Sequence, residues 1–272
     1  MYLCINICVM IRKRKYNIGY ALSGGGVKGF AHAGALQALE EHGIRPDVIA
    51  GTSAGSVVAA LYSAGYKPTE ISEIFKEQGG FMNFASIVLP SAGLFNPAKF
   101  MQFLKSKLKE KNASYVNIEN LPIPIRVVAS DLDNGKSVVF SKGEIVPRVM
   151  ASATVPIVFV PTVIDGVHYV DGGVFKNFPV SVIRRECSKV IGINVSPLVA
   201  SKYKQTILDI AQRSYEFMFR ANTMLERRRC DLLVEVGDAL KYGTFDLERL
   251  DDIFALGYDA MTKALRDKKF TV

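Results

Sequence analysis

Gly51-Thr52-Ser53-Ala54-Gly55 is the stretch that decides the fold, because it joins a short apolar strand to an apolar helix. The strand is predicted over residues 47–50, and the helix runs to about residue 64. A G-x-S-x-G sequence between a strand and a helix is the pattern of a nucleophile elbow, a tight turn that projects the serine hydroxyl clear of the sheet. Taken alone, the pentapeptide fits an ordinary glycine-bounded turn equally well.

A second glycine-rich loop lies upstream, between a strand predicted over 16–22 and a helix predicted over 30–42. The loop fits the dinucleotide-binding pattern G-x-G-x-x-G, but the second strand ends in the serine turn and not in the acid that would hold a ribose. Alternatively, its backbone N–H groups face a developing oxyanion, in the positive field of the following helix. A lysine in the loop either adds charge to this site or is an ordinary surface residue. The loop consists of Gly24, Gly25, Gly26, Val27, Lys28 and Gly29.

A nucleophilic serine needs a base. The chain has three histidines, and none lies in a loop late in the chain behind an acid, where the histidine of a catalytic triad is expected. His32 lies inside the first predicted helix, His42 at the end of that helix, and His168 in a predicted strand. The histidines therefore do not supply an evident base.

Asp171 is the better candidate base, because it follows a strand predicted over 168–170 and precedes Gly172 and Gly173, which leave its carboxylate uncrowded. A partly desolvated carboxylate held against a hydroxyl gains proton affinity and can act as a base directly. An Asp-Gly pair is also a common turn sequence. The neighbouring Asp165-Gly166 is expected to be such a turn, in a plain hairpin.

Outside these motifs, strands and helices alternate along most of the chain, which favours an α/β fold: a mainly parallel central sheet with helices on both faces. We expect a single domain over 16–272, with the motifs in 16–196 and a helical part over 202–272, behind an apolar and basic tail at 1–15. The further predicted strands are 123–130, 138–141, 158–164, 189–195 and 232–236, and the further helices are 69–78, 97–111, 145–153, 179–185, 203–229 and 246–268.

Residues 81–95 are apolar, lack a clean period and are flanked by glycines. They fit either a lid or acyl-chain wall near the site, or a loop that packs on the core. Basic residues on two predicted helices could face anionic lipid, although a single basic residue is more often simply solvated. They are Lys99, Lys105, Lys107, Lys109, Lys111, Arg220, Arg227, Arg228 and Arg229.

The chain has 272 residues and a net charge of +8, which favours an anionic partner. No nucleic-acid-binding signature is present, so an acidic membrane surface is preferred to nucleic acid. The four cysteines form no CxxC pair or disulfide framework, which fits a reducing compartment and hence the cytoplasm. The tail at 1–15 is too short to span a bilayer. It is a shallow membrane anchor, a frayed end, or sequence upstream of a start at Met10.

The glycine loop with its basic residue, G-x-S-x-G and the late D-G-G, in this order, resemble the patatin-like phospholipases. Two further segments fit: Ala151-Ser152-Ala153-Thr154-Val155-Pro156 looks like the A-S-x-x-x-P segment of that family, and Asn177-Phe178-Pro179 follows the D-G-G. The resemblance covers about 16–196.

The resemblance implies an acyl hydrolase with a Ser–Asp dyad and no metal or cofactor, acting as a phospholipase A, lysophospholipase or lipid esterase through an acyl-enzyme. It makes Ser53 the nucleophile, Asp171 the base and loop 24–29 the oxyanion hole. Lys28 stands where many members carry arginine, which keeps the charge and loses the bidentate fork. The elbow and D-G-G residues beside the dyad are Gly51, Thr52, Ala54, Gly55, Gly172 and Gly173.

Two other classes remain open from the residues. One is a non-catalytic regulatory protein on the same fold, against which the presence of both Ser53 and Asp171 argues. The other is a nucleotide-binding protein that uses loop 24–29, against which the absent ribose acid argues.

Overall fold

The computed structural model of the chain describes residues 14–77, 86–87, 95–197, 206–237, 249–268 and 270. The strands in these ranges are β1 (Tyr16–Leu22), β2 (Val48–Thr52), β3 (Ser86–Ile87), β4 (Phe95–Asn96), β5 (Ile125–Asp131), β6 (Lys136–Phe140), β7 (Thr162–Ile164), β8 (Val167–Asp171), β9 (Cys187–Asn194) and β10 (Leu232–Glu235). The helices are α1 (Phe30–Glu41), α2 (Ala54–Ser63), α3 (Pro68–Glu77), α4 (Ala98–Lys111), α5 (Ile145–Ala153), α6 (Gly173–Lys176), α7 (Val180–Arg184), α8 (Ile207–Arg227) and α9 (Leu250–Lys268).

Eight strands form one sheet in the order β10-β9-β1-β2-β5-β8-β7, with β6 paired to β5. The pairs from β10 to β5 are parallel, and the pairs that β5 makes with β6 and β8, and β7 with β8, are antiparallel. The predicted α/β class with a mainly parallel central sheet is confirmed. Because β1 and β2 are adjacent and parallel, their carboxyl ends lie side by side. Functional loops of parallel sheets follow the carboxyl ends of the strands.

The alternation along β1 distributes its side chains to both faces of the sheet. Ile18, Tyr20 and Leu22 belong to the larger apolar core, which α1, α2 and α9 cover. Ala21 belongs to the core on the opposite face, beneath α7. Helices on both faces exclude water from the sheet, so the strands are apolar on both sides.

Most predicted elements agree with the structure to within one or two residues, and β1 and α5 agree at both ends. The strand predicted over 158–164 is wrong in its first half, since β7 begins only at Thr162. Ile157 has a φ of 73°, and prolines at 156 and 161 lack the N–H that a sheet ladder needs. The short helix α6, which begins at the second glycine of the D-G-G, has no counterpart among the predicted elements.

Several predictions fall outside the described residues. The apolar tail is described only from residue 14, and the candidate lid at 81–95 only at β3 and the first residue of β4, which pair antiparallel. The beginnings of the helices predicted at 203 and 246 lie outside as well.

Candidate active site

Ser53 occupies the turn between β2 and α2 in a conformation that side chains rarely adopt. Its φ is 53° and its ψ is −126°, and only a few non-glycine residues in the described ranges have positive φ. Strain of this kind costs on the order of 1–3 kcal/mol and persists where the surrounding structure enforces it. The side chain is 6% exposed, so the hydroxyl lies at the edge of the protein interior.

The flanking glycines allow strand and helix to approach. A Cβ on Gly51 would lie 2.5 Å from the carbonyl oxygen of Gly55, and a Cβ on Gly55 would lie 2.5 Å from that of Leu22. Both contacts are far closer than van der Waals distance, so any other residue would push α2 away from the sheet. The spacing of the G-x-S-x-G motif thus has a steric cause.

Ser152, in α5, holds the Ser53 turn in place. Its hydroxyl accepts a hydrogen bond from the Ser53 N–H at 2.8 Å and donates one to the Val128 carbonyl oxygen at 2.6 Å. All three groups are buried. The Ser53 N–H is therefore already paired, and sequence analysis had assigned Ser152 to a motif without giving it this contact.

Asp171 lies at the end of β8 and is fully buried. Its N–H donates to the Thr154 carbonyl at 2.8 Å, and the next N–H, of Gly172, donates to the Ser152 carbonyl at 3.2 Å. Segment 152–154 thus contacts both predicted members of the dyad. The carboxylate accepts the Gly173 N–H at Oδ1, at 2.7 Å.

Burial raises the pKa of Asp171 from an ordinary 3.8 to about 7, and hydrogen bonding with the Ser53 hydroxyl and the Gly173 N–H opposes the rise. The two residues are neighbours, since a Cβ on Gly172, next to Asp171, would lie 3.0 Å from Cγ2 of Thr52, next to Ser53; Asp171 Oδ2 itself has no hydrogen-bond partner among the described residues. Hydrogen bonds between catalytic groups are often long before substrate binds and shorten in the complex. A carboxyl with this pKa accepts and releases a proton near neutral pH.

The glycine loop packs directly on the serine turn. A Cβ on Gly24 would lie 3.1 Å from Ser53 Cβ, and a Cβ on Gly29 would lie 2.7 Å from Ala54 Cβ. The Gly24 N–H donates to the Asn177 carbonyl at 3.0 Å, so it is not free to bind another acceptor. The N–H groups of Gly25 and Gly26 have no acceptor among the described residues.

Two polar side chains, Lys28 and Asn177, are buried at the glycine loop. Lys28 is only 9% exposed, so it is not an ordinary surface lysine. Asn177 is fully buried against Gly24, and neither its amide nitrogen nor its amide oxygen has a hydrogen-bond partner among the described residues. An unsatisfied buried amide beside Ser53 is a polar group available to a bound ligand.

The histidines do not contact the dyad. His32 is buried, donates from Nε2 to the Ser23 carbonyl at 2.8 Å, and burial lowers its pKa to about 4, so it stays neutral. His168 is exposed and lies 3.1 Å from Asp133. His42 hydrogen-bonds the Ala38 carbonyl at the end of α1.

Helix α8 contributes residues that sequence analysis missed. Asn222 donates to the Gly173 carbonyl at 2.8 Å and accepts the Asn177 N–H at 2.8 Å. Glu226 accepts the Lys176 ammonium at 3.3 Å. These contacts fix the turn after Asp171 from outside. Their only sequence signal is a helical spacing of polar residues, which is equally typical of a solvated helix face.

The fold and the site together define an α/β protein whose elbow serine faces a buried carboxylate. The family model described as "Patatin-like phospholipase" matches residues 20–183. The chain belongs to the patatin-like phospholipase family, a family of lipid hydrolases.

Similar proteins come from bacteria and animals. An uncharacterized NTE family protein of Mycobacterium tuberculosis is 34% identical over 168 residues, which cover 61% of this chain and 45% of that protein. Human patatin-like phospholipase domain-containing protein 6 is 30% identical over 187 residues, which cover 65% of this chain and 13% of that protein. The match thus spans less than half the length of these relatives.

Among solved structures, VipD from Legionella pneumophila has a TM-score of 0.50 at 16% identity, covering 93% of this chain and 67% of that one. At this identity the likeness concerns the fold alone.

In the described ranges, no helix combines the length and the apolar character needed to cross a membrane. Within the same ranges, no three His, Cys, Asp or Glu side chains cluster in a way that could hold a metal ion.

Proposed function

We propose that the chain is a serine acyl hydrolase that cleaves carboxylic esters of lipids with Ser53 as nucleophile and Asp171 as base. The observation that carries the proposal is the fully buried Asp171, whose pKa rises to about 7, beside a serine on a strained turn. A general base is most effective when its pKa lies near the working pH. An Asp-Gly turn without catalytic use would leave its carboxylate in water.

In the acylation step, Ser53 Oγ attacks the carbonyl carbon of the ester while Asp171 accepts the hydroxyl proton. The tetrahedral intermediate collapses as the bond to the leaving oxygen breaks, and Asp171 returns its proton to the leaving alcohol or lysolipid. Ser53 is then esterified by the acyl group. Water cleaves this acyl-enzyme in the second half of the reaction.

The negative charge on the carbonyl oxygen needs donors that are in place beforehand. Among the loop amides, those of Gly25, Gly26 and Val27 have no acceptor in the described residues, whereas that of Gly24 is bonded to Asn177. The proposed oxyanion hole of loop 24–29 therefore rests on the amides of residues 25–27. Buried Lys28 adds a positive charge nearby.

The test compares wild type with Ser53→Ala and Asp171→Asn in release of fatty acid from long-chain and short-chain esters. We expect both variants to lose at least about a thousandfold in kcat/KM, which corresponds to removal of a nucleophile or general base. A fluorophosphonate probe should label wild type at Ser53 and leave Ser53→Ala unlabelled. Equal turnover by all three proteins would contradict the proposal.

We further propose that the protein approaches an anionic membrane surface through the outer face of α8. Large apolar side chains on this face are 43–69% exposed, and three of them are seven residues apart, which places them on one side of the helix. They are Ile210, Phe217, Met218, Met224 and Leu225. Helices of this kind lie in the membrane interface with the apolar face inward.

The charges around this face favour anionic lipid. Arg213 lies over the Phe217 ring at 4.8 Å, and Arg228 is exposed. Other basic residues proposed above are paired with carboxylates: Lys107 with Glu110, Lys111 with Glu70, Arg227 with Glu235, and Arg229 with Glu226. Those pairs reduce the charge available to a lipid headgroup.

Sedimentation with anionic and zwitterionic vesicles at low and high salt tests this surface. Wild type should sediment with anionic vesicles at low salt, and the double variant Phe217→Glu/Leu225→Glu should not, because it places charge on the apolar face. Val163→Glu is the matched control, since Val163 is also exposed and lies in β7. Equal sedimentation of both variants would remove α8 from the proposal.

A further inference from the structure

The inner face of α8 lies against the turn that follows Asp171. Asn222 Nδ2 donates to the Gly173 carbonyl oxygen at 2.8 Å. The Phe219 ring occupies the space that a Cβ on Gly173 would need. One face of α8 therefore packs on Gly173, which follows the candidate base Asp171 by two residues.

Tyr215 lies one helical turn before Phe219 on the same face, and the two rings meet edge to face with centroids 4.2 Å apart. The Tyr215 hydroxyl is buried, although part of the ring is exposed, and it has no hydrogen-bond partner among the described residues. A buried hydroxyl without a partner destabilises the fold, so an unpaired one indicates a polar group that binds there.

Asp171 is the carboxylate nearest along this path of contacts, since Tyr215 packs on Phe219, and Phe219 packs on Gly173, two residues after Asp171. Burial, and then the Asp171 charge, raise the pKa of Tyr215 well above its ordinary value, so the phenol keeps its proton. Asp171 Oδ2 is also buried and also lacks an ordinary hydrogen bond. Two buried polar atoms in one region, neither bonded to the other, are satisfied together when a third polar group binds between them.

We propose that Tyr215 is a positioning residue that, together with Asp171, holds the water that hydrolyses the acyl-enzyme. This inference rests on the proposed function. During acylation the leaving oxygen occupies the space beside Asp171, and water replaces it after the alcohol departs. The Tyr215 hydroxyl keeps that water in hydrogen-bond reach of Oδ2 and in line with the acyl carbon.

Deacylation transfers the acyl group from Ser53 to this water. The water oxygen forms a bond to the acyl carbon, and one of its protons passes to Asp171 Oδ2. The bond between the acyl carbon and Ser53 Oγ then breaks, and Asp171 gives the proton to Oγ. Tyr215 exchanges no proton in this sequence, because its raised pKa keeps it neutral.

The test uses the full chain with a p-nitrophenyl ester, for which release of nitrophenol reports acylation and the steady state reports deacylation. Tyr215→Phe removes only the hydroxyl. We expect kcat to fall about tenfold, as for one lost hydrogen bond, while KM falls in parallel and kcat/KM stays within about twofold. In Tyr215→Phe, nitrophenol should appear as a burst, and intact-protein mass spectrometry should show acylated protein in the steady state.

Tyr66→Phe is the matched control, because Tyr66 also carries a buried hydroxyl, bonded to the Lys107 carbonyl at 2.9 Å, in a different part of the chain. Tyr215→Gln keeps a hydrogen-bonding group at this position. Its kcat should therefore be higher than that of Tyr215→Phe. An unchanged kcat in Tyr215→Phe, or a loss in kcat/KM without acyl-enzyme accumulation, would overturn the inference. Absence of burst and of fluorophosphonate labelling in wild type would instead overturn the proposed function.

Discussion

Two Asp-Gly pairs lie at the two ends of strand β8 and have opposite surroundings. Asp165-Gly166 joins β7 to β8, and both residues are exposed with positive φ, of 51° and 80°. Asp171-Gly172 ends the same strand, and Asp171 is fully buried. A Cβ on Gly166 would meet nothing, whereas one on Gly172 would clash with the Val128 carbonyl oxygen.

The difference shows that the dipeptide itself carries no function. At the first pair, the glycine permits a turn of the backbone in water. At the second, it lets the strand end against β5, so that the neighbouring carboxylate is enclosed by protein. Enclosure raises the pKa of Asp171, and this is the property that a base requires. Because the two pairs share a dipeptide and a strand, a substitution at one pair has its matched control at the other.

The largest expected effect is on catalysis. Asp171→Asn removes the proton acceptor beside Ser53 and should lower kcat/KM for a lipid ester by at least about a thousandfold. Asp165→Asn changes an exposed turn and should leave kcat/KM within about twofold. Steady-state kinetics on both variants make the comparison. Comparable losses in the two would mean that burial of Asp171 has no bearing on the reaction.

The second prediction concerns pH and stability. The folded-state pKa of Asp171, about 7, lies above its ordinary value of 3.8, so between these values the folded protein binds a proton that the unfolded chain releases. The free energy of unfolding should therefore fall as pH rises through this window, by at most about 4 kcal/mol. Asp171→Asn abolishes that contribution, whereas Asp165→Asn retains it.

Denaturant unfolding of both variants from about pH 4 to about pH 8 measures the difference. Asp171→Asn should gain stability relative to Asp165→Asn as pH rises. The kcat/KM of wild type should change in the opposite sense, increasing through about pH 7 because only the ionised carboxylate accepts a proton. Parallel stability curves for the two variants would show that Asp171 titrates as an ordinary exposed carboxyl.

The third prediction concerns the two glycines. Gly172→Ala forces a methyl group against the Val128 carbonyl in a buried region and should cost about 2–3 kcal/mol of unfolding free energy, by strain and backbone displacement. Gly166→Ala has open space and loses only the ease of positive φ, about 1 kcal/mol. Denaturant midpoints for the two variants test the ranking. An equal cost at both positions would mean that space at Gly172 is not limiting.

The features that depend on residues close together in the sequence could be predicted. Strand β1, the loop that follows it and the turn at Ser53 depend on local patterns of glycine and apolar residues, and the structure has them within one or two residues of the predicted bounds. The sequence also distinguished Asp171 from Asp165 by its two following glycines. In the structure Gly172 lies against Thr52, so the strand end at Asp171 and the turn at Ser53 are neighbours, and the dyad stays a proposal.

The remaining contacts could not be predicted, because they join distant segments. Asn222 and Phe219 contact Gly173, in the turn after Asp171, across more than forty residues, and no local period distinguishes them from other residues of an amphipathic helix. Asn177 belongs to a motif that the sequence shows. Its carbonyl accepts the Gly24 N–H, a predicted oxyanion donor, and this bond depends on the packing of two loops. Long-range pairing of this kind is set by the assembled fold.

The smallest expected effect concerns segment 152–154, which binds the N–H groups of Asp171 and Gly172. Among the described residues, no segment binds the N–H of Asp165 in this way. Ser152→Ala removes the acceptor of the Ser53 N–H and the donor to Val128, so both the unfolding free energy and kcat/KM should fall, by about 1–3 kcal/mol and about tenfold. Thr154→Val also removes a buried hydroxyl, bonded to the Met150 carbonyl at 2.8 Å, but keeps the carbonyl that binds the Asp171 N–H. It should lose stability to a similar extent and keep its activity. Equal activity of the two variants would mean that the Ser53 turn is held without Ser152, by its own glycines.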